Sequence, residues 1–76
     1  MDEARVLLKR KYGLVHVPRA ARVREWHERV TAALGRGESP EEAGLAAARE
    51  VFPHELNEPA ARGEPKVDVI LRDLGG

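Results

Sequence analysis

Pro18–Leu34 reads PRAARVREWHERVTAAL, and its periodicity decides what kind of fold the chain adopts. Val23, Trp26, His27, Val30, Ala33 and Leu34 recur at i, i+3, i+4, i+7, i+10 and i+11. At 100° per residue they fall within one arc of roughly 120°, the apolar stripe of a helix that faces a core. The stripe carries the chain's single tryptophan, a side chain that removes about 150–250 Å² from water when packed. Arg24/Glu28 and Glu25/Arg29 sit at i, i+4 on the outer face, a spacing that adds a few tenths of a kcal/mol per pair. His27 lies at the edge of the stripe, the position of a half-buried packing residue.

Working outward, the preceding segment repeats the pattern. Ala4, Leu7, Leu8 and Tyr12 share a stripe, with Arg5, Lys9 and Arg10 largely opposite. Asp2 and Glu3 suit the positive end of a helix dipole. Gly13 followed by Leu14 has the form of a Schellman ending, a glycine at C′ with an apolar residue at C″. Leu14–Val17 is then extended, because Pro18 pushes its predecessor out of the α region. A connector fits it better than a strand.

On the other side, Gly35–Glu38 is a short loop that favours a helical hairpin. Ser39-Pro40-Glu41-Glu42 is a capping box, with serine at N-cap, proline at N1 and glutamate at N3. Gly44, Leu45, Ala48, Val51 and Phe52 then share a face, and Pro53 ends the helix. His54–Glu64 has little periodicity and reads as loop. In Pro65–Leu74, Val67, Ile70, Leu71 and Leu74 fit a helical stripe, whereas Val67, Val69 and Leu71 alternate as a strand would. The helical template explains more of the apolar positions and is preferred.

The expected architecture is therefore a single small all-α domain spanning 1–76. It comprises helices at about 2–12, 18–34 and 40–52, a loop at 53–64 and a C-terminal helix at about 65–74. Leu, Val, Ile and Phe number 18 of 76 residues, just above the ~20% level that marks disorder. A core this thin supplies only ~3–5 kcal/mol net, so self-association is expected. The strip around Leu45, Phe52, Leu71 and Leu74 is the candidate interface of a homodimer.

Composition removes several classes of function. With no cysteine there is no disulfide framework and no thiolate chemistry. No apolar run is long enough for a membrane span or a signal-peptide core, so a soluble, cytoplasmic protein is expected. Glutamine is absent, serine, threonine and asparagine occur once each, and arginine outnumbers lysine ten to three. That profile suits a thermophile or a GC-rich genome.

Net charge is zero but unevenly spread, with +5 on residues 1–37 and −5 on 38–76. Arg5, Lys9, Arg10, Lys11, Arg19, Arg22 and Arg24 form a candidate basic surface for phosphate contacts. A nucleic-acid accessory protein is accordingly the alternative to an interaction module. A pI near 6.8 and the lack of an aromatic stacking platform count against it.

Two stretches resemble known families. Gly35, Glu41 and Arg49-Glu50-Val51 match the spacing of the first half of the Nudix box, which marks hydrolases of nucleoside-diphosphate-linked substrates. The match departs at Pro53-His54, where that family has the glutamate pair that holds its divalent cations. Val69–Gly76, VILRDLGG, looks like the tail of ubiquitin-like modifiers and sulfur carriers, in which a strand and arm end in Gly-Gly. That resemblance implies a terminal carboxylate activated by adenylation, on a fold opening with a β-hairpin, whereas residues 2–12 here read as helix.

The three histidines, His16, His27 and His54, have no i, i+4 partner among themselves and form no HExxH motif. The sole serine is committed to a cap. No catalytic, metal or cofactor residues are expected, and the chain is read as a protein-interaction module, a homo-oligomer or a subunit of a larger complex with another protein, rather than an enzyme.

Overall fold

A computed structural model describes residues 2–75, and the elements follow the order α1 (Asp2–Tyr12), α2 (Ala20–Gly35), α3 (Pro40–Val51), a 3₁₀ turn (Ala60–Arg62) and α4 (Val67–Gly75). No strand occurs among the described residues. The molecule is all-α, as the periodicities require.

The local stop and start signals act as their chemistry predicts. Gly13 adopts φ 61° and the Leu14 N–H donates to the Lys9 carbonyl at 3.0 Å, the six-to-one bond of a Schellman ending. α2 ends in the same way, with the Glu38 N–H donating to Ala33 O at 3.2 Å. Ser39 Oγ accepts from the Glu42 N–H at 3.3 Å, and Pro40 opens the helix behind it.

α2 and α3 make the closest helix pair. Val23, Trp26, Val30 and Ala33 of α2 are buried against Ala43, Gly44, Ala47, Ala48 and Val51 of α3. His27 and Leu34 flank this stripe half-buried. Small side chains on α3 make room for the indole, whose Nε1–H donates to the Gly44 carbonyl at 3.1 Å. Tyr12 meets the indole edge-on, ring centroids 6.3 Å apart. Gly44 is required here by close approach, because a Cβ would lie 2.6 Å from Tyr12 Oη and 2.6 Å from Val67 Cγ2.

α1 closes the bundle from the other side, burying Ala4, Leu8 and Tyr12. α4 packs on α1 and α3 with Val67 and Ile70 inward. Val69 stays exposed, so the helical stripe and not the strand alternation describes this segment.

Several boundaries shift, each for a backbone reason. α2 begins at Ala20 rather than Pro18, since Arg19 is extended at φ −70°, ψ 155° and serves as N-cap. α3 ends at Val51, with Phe52 outside the helical region at φ −123°, ψ 50°. α4 begins at Val67 rather than Pro65. The Leu14–Val17 connector bends at Val15 and His16 rather than running extended.

The 53–64 stretch is more ordered than a loop reading implies. Asn57 N–H donates to the Tyr12 carbonyl at 2.8 Å, and Ala61 N–H to Asn57 O at 3.1 Å. Ala61 is buried and an Arg49–Glu58 ion pair ties the stretch to α3. It forms a strap across the end of α1. Among the described residues, no helix is long and apolar enough to cross a membrane.

Candidate functional site

A groove of about 560 Å³ lies between the α1–α2 connector, the start of α2 and the end of α3. Its walls are fixed by local chemistry. The Schellman ending of α1 turns the chain away, and Leu14 anchors it in the core. Glu55, after α3, accepts the His16 N–H at 3.3 Å and ties the connector to the opposite wall. Pro18 is buried, and its carbonyl accepts from Arg5 Nε at 2.7 Å.

The two walls carry opposite charge. Arg19 and Arg22 stand at the α2 side, and Glu50 and Glu55 at the α3 side. Arg22 pairs with Glu25 at 3.2 Å and Glu50 with Arg29. Arg19 and Glu55, one on each wall, have no ion-pair partner among the described residues. Val17, Phe52 and Pro53 supply apolar lining. Val17 is 39% exposed, and its neighbour Val15 is 67% exposed.

A second polar cluster lies under the strap, with its lysine buried and its glutamate side chain partly open to solvent. Lys11 is 0% exposed. Its ammonium donates to Glu41 Oε1 at 2.7 Å and to the Gly63 carbonyl at 3.1 Å. The other carboxylate oxygen of Glu41 accepts the Val67 N–H at 2.7 Å, so a side chain of α3 caps α4. Burial pushes the Glu41 carboxyl up, but the hydrogen bonds from Lys11 and Val67, with the Lys11 and Lys66 charges, outweigh it and hold it below its ordinary value. Burial, then the Glu41 charge, pushes the Tyr12 hydroxyl up against the opposing Trp26 indole. That hydroxyl is buried without a hydrogen-bond partner of proper geometry among the described residues.

The expected basic surface is divided. Lys11, placed on it by sequence, is instead in the interior, because Glu41 and Gly63 satisfy its charge and donors there. Arg5 is turned to the Pro18 carbonyl and Lys9 is half-buried. Arg10, Arg19, Arg22 and Arg24 remain exposed. Arg22 and Arg24, two residues apart on a helix, point to nearly opposite flanks. Arg19 and Arg22 are the pair brought together, on the groove.

The expected apolar strip is divided as well. Phe52 is 4% exposed; its backbone leaves the helix, and the core takes its ring. Leu45 lies in a shallow hollow with Ala61, Arg62 and Lys66. Leu71 and Leu74 pack half-buried on the core. The exposed valines 15 and 17 were not singled out by sequence, although a β-branched pair beside a helix-breaking proline was the available signal.

Neither family resemblance extends to the structure's details. Both carboxylates of the Nudix-like match are engaged elsewhere, Glu41 with Lys11 and Glu50 with Arg29. Among the described residues no group of three or more His, Asp or Glu side chains is arranged to hold a metal. Val69–Gly75 lies within α4, so it does not form the strand and arm of a ubiquitin-like tail; Gly76 lies outside the described residues. No family model matches the chain, and no curated protein or solved structure matches it either.

Proposed function

We propose that the chain is a protein-interaction module that works by self-association, as a cytoplasmic homodimer. The supporting observation is the apolar surface around Val15 and Val17, left uncovered in the connector that walls the groove of a molecule whose core is thin. Covering that surface with a second copy buries it and adds stability by mass action. The reading gives the chain no catalytic task.

Sedimentation at ~100 μM, with melting followed over a hundredfold range of concentration, tests this reading. A dimer whose melting temperature rises with concentration is expected. A monomeric mass with concentration-independent melting overturns it. A duplex DNA fragment that binds at ~50 mM salt and is released steeply as salt rises would favour the nucleic-acid alternative.

A further inference from the structure

We infer that the surface through which two copies meet is the groove between the connector and the end of α3, paired with itself about a two-fold axis. The inference rests on the self-association reading and adds its geometry. A two-fold interface must be self-complementary, so that a residue i meeting j implies j meeting i. The groove has that property, with cations on the α2 wall and carboxylates on the α3 wall.

Arg19 and Glu55 are decisive. They stand on opposite walls of one groove, yet no ion pair joins them within the chain, and neither has another ion-pair partner among the described residues. Turning a second copy by 180° sets the Arg19 wall of each against the Glu55 wall of the other. The arrangement makes the same attraction twice, whereas a two-fold axis running across the groove would set each wall against its own copy and bring like charges together.

The apolar component lies in the same place. Val17 and Pro53 line the groove beside the buried Phe52 ring, and Val15, two residues before Val17 in the connector, is exposed as well. The connector is fixed in position, its His16 N–H held by Glu55 and its Pro18 carbonyl by Arg5. A standard interface covers about 800 Å² per partner, roughly a sixth of the 4681 Å² this chain exposes. The contact therefore spreads from the groove over both valines.

Charge exchange tests the pairing. Arg19→Glu and Glu55→Arg each create two like-charge contacts in the two-fold dimer, and each alone is expected to raise the dissociation constant at least about tenfold. Mixing the two variants restores both attractions, so the mixture is expected to form a heterodimer close to wild-type affinity. Circular dichroism of each variant checks that helix content is kept. Val15→Glu, at a site exposed enough to leave the fold intact, is an independent disruption and is also expected to give monomers.

Wild-type dimers indifferent to all three substitutions would overturn the groove assignment while leaving self-association standing. Variants that dissociate but fail to recombine would overturn the two-fold exchange. A monomeric wild type would overturn both readings.

Discussion

Around Trp26, α2 and α3 meet through valines, alanines and a glycine, whereas around Lys11 four segments meet through one ion pair and two further hydrogen bonds. The first contact is broad and apolar, and its strength grows with the area removed from water. The second is narrow and ionic. Its worth depends on every partner being in place, because a buried ion without its counter-charge is heavily penalised. The two regions share α3: Gly44 faces the indole, and Glu41, one turn earlier, holds Lys11 and the first turn of α4.

The comparison breaks most completely at the tryptophan. Trp26→Ala removes the largest fully buried side chain and is expected to cost ~3–5 kcal/mol, comparable to the whole stability of a small domain. Far-UV circular dichroism should show a largely unfolded chain at 25 °C. A cooperative melt near that of the wild type would show that the seam does not depend on the indole.

The ionic node should respond asymmetrically. Glu41→Ala strands a buried ammonium and uncaps α4, and the expected loss is about 2–3 kcal/mol. That figure is at the low end for a buried pair because the Glu41 side chain is 39% exposed. Lys11→Met replaces the stem with an apolar one and leaves Glu41 able to meet water, so a change within about 1 kcal/mol is expected. Urea unfolding of the two variants checks the order, and equal losses would mean that the ion pair is not what matters there.

Gly44→Ala tests whether packing outweighs propensity. Alanine favours the helix by about 1 kcal/mol, but its Cβ would crowd the Tyr12 hydroxyl and a Val67 methyl at 2.6 Å. Overpacking of this kind costs about 1–3 kcal/mol, so a net loss of about 1 kcal/mol is expected in the same titrations. A stabilised variant would mean that α1 and α4 yield more easily than their burial implies.

The smallest expected effect is on pH. The folded Glu41 carboxyl titrates below its ordinary value of 4.5. Its stabilising contribution is therefore present above that value and is lost as pH falls through the folded one. Melting temperatures measured from pH 6 down to pH 3 should decline more shallowly for Glu41→Gln than for the wild type. Parallel profiles would remove Glu41 from the acid response. The buried residues of the Trp26 seam include no carboxylate; the Arg29–Glu50 pair that joins the same two helices lies on their exposed rim.

The charge imbalance between the two halves of the sequence also has a structural answer. Lys11–Glu41, Arg29–Glu50 and Arg36–Glu38 all join a cation from residues 1–37 to a carboxylate from 38–76. Part of the imbalance is thus spent on holding one half to the other. A linear count of charge could not distinguish that from a surface for a partner.

Sequence alone determined the helices, the glycine ending of α1, the serine cap of α3 and the buried stripe of α2, because these depend on residues one to five positions apart. A 3.6-residue period places Trp26 inside whatever it faces, and glycine at C′ or serine at N-cap acts within one turn. The tertiary structure decided what each face meets. Lys11 falls inside the stripe of α1, at i+7 from Ala4 and i+3 from Leu8, but the partners that let an ammonium stay buried there are Glu41 and Gly63, 30 and 52 residues away. Phe52 is inside because the chain leaves the helix at that residue, and the groove exists because the connector bends after Leu14. Periodicity says which side of a helix is apolar; the partner for that side, and for each charge, is fixed only when distant segments compete for the same small volume.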